Sequence, residues 1–189
     1  YMKTRTIYFN HQGVLSDKER TTNIFLIILG SLFIAILAQI SIPLPFSPVP
    51  ITGQTVGVIL VGALLGANRG ALSILCYLLE GASGMPVFAQ MKSGLHILIG
   101  PTAGYLWGFI LAAFLIGYLS EKRFTHSFHL CFLSCLVTTL LILITGTIYL
   151  ASFSSSFNEA LIMGFYPFIV GGLVKSAICT MILISIRKF

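Results

Sequence analysis

Lys175 is the residue whose position most demands a chemical reason. It stands in the apolar run 160–186, twelve residues before Arg187. On a helix rising about 1.5 Å per residue, that places it about 18 Å from the end of the run. A lysine at such depth in a bilayer costs about 2.5–3.5 kcal/mol even on the lenient insertion scale. Snorkelling over that distance overstretches its four-carbon stem. No acidic residue lies inside any apolar run: Glu80 and Glu159 fall at run ends, and Asp17, Glu19 and Glu121 lie beyond them. Two partners stay open, a structural pair with Glu80 or Glu159, or an anionic ligand, most simply a carboxylate.

Other reactive residue types form no catalytic pattern. Residues 171–176 read Gly-Gly-Leu-Val-Lys-Ser, but Val174 stands where a phosphate-binding loop needs the glycine before its lysine, and no soluble strand precedes it. Cys76, Cys131, Cys135 and Cys179 all lie in apolar runs, without a CxxC or a histidine at metal-ligand spacing. His126 and His129 open one run and His96 lies in a connection, which suits interfacial histidines. H-E-x-x-H, G-x-S-x-G and a paired intramembrane aspartate are all missing. These patterns predict no metal, no cofactor and no enzyme.

The elements that must position Lys175 follow from composition. Of the 189 residues, 57% are apolar and 8% charged, against about 25% charged in a soluble domain. So few polar groups cannot cover a soluble surface, and disorder needs low hydrophobicity. The chain reads as an integral membrane protein. Its first apolar run, 24–42, is too long for a signal-peptide core and lacks a following A-x-A, so it reads as a retained span. Pro43, Pro45, Pro48 and Pro50 make the next connection non-helical. Further runs cover 54–67, 70–79, 101–119, 128–151 and 160–186, with a glycine-rich connection over 80–100. The runs 54–67 and 70–79 are each short for a bilayer that takes about 20 residues, and could be two short spans or one kinked one.

Basic residues decide between them. With six spans, one side holds Lys3, Arg5, Lys18, Arg20, Arg69, Lys122, Arg123, Arg187 and Lys188, nine of the 11 Lys and Arg; the other side holds only Lys92. The positive-inside rule then predicts an all-α integral membrane fold, with six transmembrane helices in one bundle and both termini cytoplasmic. The net charge of +6 becomes a topology signal and not a nucleic-acid footprint. A polar cytoplasmic segment, 1–23, precedes one membrane domain, 24–189, in contact with lipid.

Irregular backbone at membrane depth is tolerated where it lines a cavity. Two outer connections, 43–53 and 80–100, could make such a site with Lys175. They and the span beside them supply Thr52, Gln54, Phe88, Gln90, Tyr105 and Trp107. An apolar wall with a few convergent polar groups suits a small amphipathic acid. Small residues recur four apart at Ser31 and Ala35, at Gly62 and Gly66, and at Gly104, Gly108 and Ala112. Such stripes either pack helices within the bundle or meet another subunit.

Ordered motifs resemble the BioY family, the biotin-specific S components of energy-coupling factor (ECF) transporters. They are Ala38-Gln39-Ile40-Ser41-Ile42-Pro43 with Pro48-Val49-Pro50-Ile51-Thr52, then Gly62-Ala63-Leu64-Leu65-Gly66, Tyr77-Leu78-Leu79-Glu80-Gly81, Gly84-Met85-Pro86-Val87-Phe88-Ala89, and Gly100-Pro101-Thr102-Ala103-Gly104-Tyr105. The resemblance is dense over 32–112 and thin from there to Lys175. It implies a six-helix bundle in a prokaryotic cytoplasmic membrane that captures biotin from outside. The first loop would cap the site, spans four to six would wall it, and spans one to three would face a T subunit coupled to ATP-binding subunits. Lys175 would hold the valerate carboxylate. Gly172 stands where the family pattern has an acidic residue, and Gln90 or Tyr105 is the candidate for the ureido contact in its place. Ser31 and Ala35 loosely match the family's partner-contact stripe. Alternatives are the same fold with another small vitamin or acid, or a stand-alone biotin facilitator. A channel would show a polar stripe along several spans, which this sequence lacks.

Overall fold

One glycine turns the two short apolar runs into two helices. The computed structural model describes residues 17–188, and in it Gly66 separates α2 (Gln54–Leu65) from α3 (Ala67–Ala82). Gly66 has φ 87°, a left-handed conformation that a Cβ would strain. Directly after it, the Ala67 N–H donates to Glu121 Oε1 at 2.9 Å, so a carboxylate satisfies a donor that the helix start leaves unpaired.

The other elements are α1 (Asp17–Gln39), a hairpin of β1 (Ser41–Leu44) and β2 (Ser47–Thr52), α4 (Ala103–Glu121), α5 (Phe128–Leu150), α6 (Phe157–Gly164) and α7 (Tyr166–Lys188). Residues 1–16, and with them most of the expected polar segment 1–23, including Lys3 and Arg5, lie outside the described residues. α1 already begins at Asp17, ahead of the apolar run. The run 160–186 is not one helix: α6 ends at Gly164 and α7 starts at Tyr166. Pro167 sits in the first turn of α7, where its missing N–H is tolerated. Counting α6 and α7 as one broken span gives six. Four are long and apolar enough to cross a membrane: Glu19–Gln39, Ala103–Glu121, Phe128–Phe153 and Phe157–Ile186.

The proline-rich connection is more regular than its sequence suggests. β1 and β2 pair antiparallel, with Ser41 opposite Thr52, Ile42 opposite Ile51 and Leu44 opposite Ser47. The ladder is irregular between Ile42 and Leu44, at Pro43, which has no N–H to give it. A two-stranded ribbon has only edge strands, so prolines with outward-facing nitrogens are accommodated. The second connection is likewise partly ordered, as single 3-10 turns at Ala89–Met91 and Leu95–Leu98.

In lipid the hydrophobic effect does not drive one helix onto another; close packing and hydrogen bonds do. The glycine stripes serve that purpose inside this chain. A Cβ on Gly70 would come within 2.7 Å of Gly62 Cα, so α2 and α3 touch backbone to backbone. Gly104 and Gly108 likewise admit Tyr149 and Thr145 of α5. Ser31 packs against its own chain. It is fully buried, and its single hydroxyl proton lies between two acceptors, Glu80 Oε1 at 2.8 Å and the Ile28 carbonyl at 2.9 Å from Oγ. That hydroxyl therefore ties α1 to α3; Ala35 is partly buried beside the core. Glu80 lies in the last turn of α3, at the end of that span, and its Oε2 is buried without a hydrogen-bond partner among the described residues.

Candidate functional site

A cavity of about 110 Å³ opens beneath the hairpin, at the end of the bundle away from Gly66 and Glu121. Its apolar wall comes from Val49 of β2, Phe88 and Ile97 of the 83–102 connection, Leu106 and Phe109 of α4, Ile142 and Leu143 of α5, and Phe168 of α7. Thr52, Gln54, Gln90, Lys92, Tyr105 and Lys175 add the polar groups.

Lys175 enters from α7. Its Nζ donates to the Thr52 carbonyl at the end of β2, at 2.6 Å. An ammonium carries three protons, so two remain for a ligand. Neither carboxylate weighed as a partner takes them. Glu80 accepts from Ser31 and from the Cys76 thiol, and Glu159 Oε2 accepts the Ser155 N–H beside the start of α6. The placement of α7 is fixed one residue on, where Ser176 Oγ meets Thr139 Oγ1 of α5 at 3.1 Å. Gly172 belongs to the same contact. It does not line the cavity, and a Cβ there would lie 3.0 Å from the Thr139 methyl carbon.

The remaining polar groups are held by a chain of hydrogen bonds. Thr52 Oγ1 donates to Gln54 Oε1 at 2.9 Å, Gln54 Nε2 to the Tyr77 oxygen at 2.7 Å, and the Tyr77 hydroxyl to the Val87 carbonyl at 3.2 Å. Hairpin, α2, α3 and the 83–102 connection are thereby one unit at the cavity floor. Phe88 is seated by α3: Gly81 gives its ring room, and the ring meets Tyr77 edge-on at 5.5 Å.

The structure therefore brings Lys175, Thr52, Gln54, Phe88, Gln90 and Tyr105 to one cavity. It leaves Trp107 out: that indole is half-exposed on α4 and donates to the Leu98 carbonyl at 3.1 Å. On a helix Trp107 and Tyr105 project to different faces. Tyr105 offers mainly its ring, since its hydroxyl donates to the Gly164 carbonyl at 2.7 Å and holds the end of α6. Lys92, Phe109 and Phe168 were not foreseen as lining residues, nor Tyr77 and Gln39 as their supports. Tyr77 and Gln39 stand within quoted motifs, and a glutamine at the end of an apolar span is itself a signal.

A largely apolar cavity inside a membrane bundle, with two lysines and a few uncharged polar groups in its lining, defines a membrane-embedded binder of a small organic anion. Residues 8–189 match the BioY family, and the chain belongs to that family. It is 39% identical over 155 residues to the biotin transporter BioY of Thermotoga maritima, covering 82% of this chain and 89% of that one. It is 41% identical over 157 residues to a probable biotin transporter BioY of Pyrococcus horikoshii, covering 82% and 91%. Among solved structures, the S-component for biotin from an ECF-type ABC transporter superposes with a TM-score of 0.81 at 28% identity, over 93% of this chain and 96% of that one.

Proposed function

We propose that this chain is the biotin-binding S component of an ECF-type uptake transporter. Lys175 carries the reading: a part-buried cation in a largely apolar cavity, with protons left for the carboxylate of a small apolar acid. The bicyclic end of biotin would lie against Phe88, Phe109 and Phe168. The chain is a transporter component and not an enzyme, in keeping with relatives that are named transporters.

The working domain is the bundle 24–189, preceded by the polar segment 1–23. Its cavity end faces outward and both termini face the cytoplasm of a prokaryotic cell. Arg69, Lys122 and Arg123 support this orientation, since all three lie at the end opposite the hairpin. Energy for uptake comes from partner subunits, a membrane T subunit and ATPases, because Lys175 lies in no phosphate-binding loop. The test is reconstitution in liposomes. The pure chain should bind labelled biotin without concentrating it, and a T subunit with ATPases and ATP should restore accumulation. Accumulation by the pure chain under a proton gradient would make it a secondary transporter.

A further inference from the structure

Gln90 and Met91 are consecutive non-glycine residues in the left-handed region, at φ 62° and 56°. L-residues rarely adopt that conformation, and a pair of them persists only where the surroundings hold it. The turn is closed by its own backbone, Phe88 N–H to the Lys92 carbonyl at 3.1 Å and Lys92 N–H to the Ala89 carbonyl at 3.4 Å, and is clamped from outside by one side chain of α1. Gln39 Oε1 accepts the Met91 N–H at 3.1 Å. Its Nε2, with two N–H groups, lies within hydrogen-bond distance of three acceptors, the Val87 and Phe88 carbonyls at 3.3 and 3.2 Å and the Ala35 carbonyl of its own helix at 3.1 Å. The amide brackets the turn on both sides. The turn in turn places Phe88, Gln90 and Lys92 in the cavity lining, which Gln39 itself does not touch.

We propose that Gln39 is a positioning residue of the ligand site, acting through the Gln90–Met91 turn. This rests on the biotin-binding reading above for its ligand, though not for its geometry. Gln39 donates and accepts at once, which only a primary amide of that length does from this place on α1. A turn without the clamp relaxes toward ordinary φ values. Phe88 and Gln90 then leave the cavity for part of the time, and bound ligand escapes faster.

Met91 makes the claim testable, because its side chain is 66% exposed and a change there removes little packing. Glycine at 91 adopts positive φ without strain. It should therefore replace the clamp's effect on the turn without restoring the clamp. In the full chain in nanodiscs, Gln39→Met should release biotin about tenfold faster and raise backbone hydrogen exchange across 87–92. Met91→Gly alone should stay near the parent. The double variant Gln39→Met/Met91→Gly should recover most of the lost residence time. If Gln39→Met does not fold, Gln39→Glu, which keeps the acceptor and loses the donors, takes its place with the same expectations. Parent-like release and exchange in the single variant would overturn the proposal, as would a double variant no better than the single. The exchange arm needs no ligand: a parent that fails to bind biotin defeats the functional reading, and exchange across 87–92 still decides whether Gln39 holds the turn.

Discussion

Lys175 Nζ and the Thr52 carbonyl, 123 positions apart in sequence, meet at 2.6 Å. The contact joins the membrane-depth cation to the last residue of the hairpin, so the charge that would hold a ligand also anchors the element covering it. A carboxylate arriving at Nζ adds a second acceptor in a largely apolar cavity, where charge-assisted hydrogen bonds are stronger than in bulk water.

Lys175→Ala should weaken biotin binding. A hydrogen bond to a charged group is worth about 1.5–3 kcal/mol, or roughly ten- to hundredfold in affinity at about 1.4 kcal/mol per decade. Equilibrium binding of labelled biotin to the purified variant measures it. Parent-like affinity would make Lys175 a structural residue serving only Thr52.

The hairpin should govern release. Its tip is tied to the bundle by Ser47, whose Oγ donates to the Met163 carbonyl of α6 at 2.7 Å. Pro48 and Pro50 limit the freedom of β2. Replacing both by glycine adds chain entropy that closure must remove. Ser47→Ala and the Pro48→Gly/Pro50→Gly pair should each speed biotin release in stopped-flow with the bundle intact. Unchanged rates in both would remove the hairpin from control of the site.

Sidedness has its own test. Ser47 lies at the hairpin tip and Lys122 just after α4, at the opposite end of the bundle. In intact cells an impermeant thiol reagent should label Ser47→Cys and spare Lys122→Cys. The reverse pattern would invert the topology.

Ser31→Ala should destabilise the bundle. It leaves Glu80 Oε1 with only the weak 3.3 Å Cys76 thiol, beside an Oε2 that has no partner among the described residues. Losing such a partner costs about 1–3 kcal/mol, a fall in melting temperature of several degrees for a chain of this size. Glu80→Gln in the Ser31→Ala background should recover part of it, since a neutral amide is cheaper to bury than a carboxylate. A Ser31→Ala melt identical to the parent's would show that the α1–α3 contact does not depend on this bond.

Much of this was legible in the residues. Apolar runs and the placement of Lys and Arg gave six spans, because burial in lipid and charge at its borders act on short stretches of chain. Lys175 was legible because a cation at that depth is costly wherever the neighbouring helices go. The Ser31 contact with Glu80 was not legible, because a small-residue stripe looks the same facing a neighbour in the chain or in another subunit, and the carboxylate lies 49 positions away. Trp107 was misplaced because aromatic character was weighed without its helical phase. Gln39 was invisible as a support because its partners, Val87, Phe88 and Met91, become its neighbours only after α1 and α3 pack. The hairpin escaped because local rules read four prolines as a loop, whereas pairing depends on which way each ring nitrogen faces.

The central claim is a carboxylate-bearing biotin held by a lysine at membrane depth. Isothermal titration of the purified chain, with biotin and with biotin methyl ester, addresses it most directly. The account predicts tight binding of biotin by the parent and binding of the ester weaker by roughly ten- to hundredfold. In Lys175→Ala the gap between the two ligands should largely close, because the charge of biotin then has no partner. A parent that binds neither ligand, or binds acid and ester equally, would contradict it.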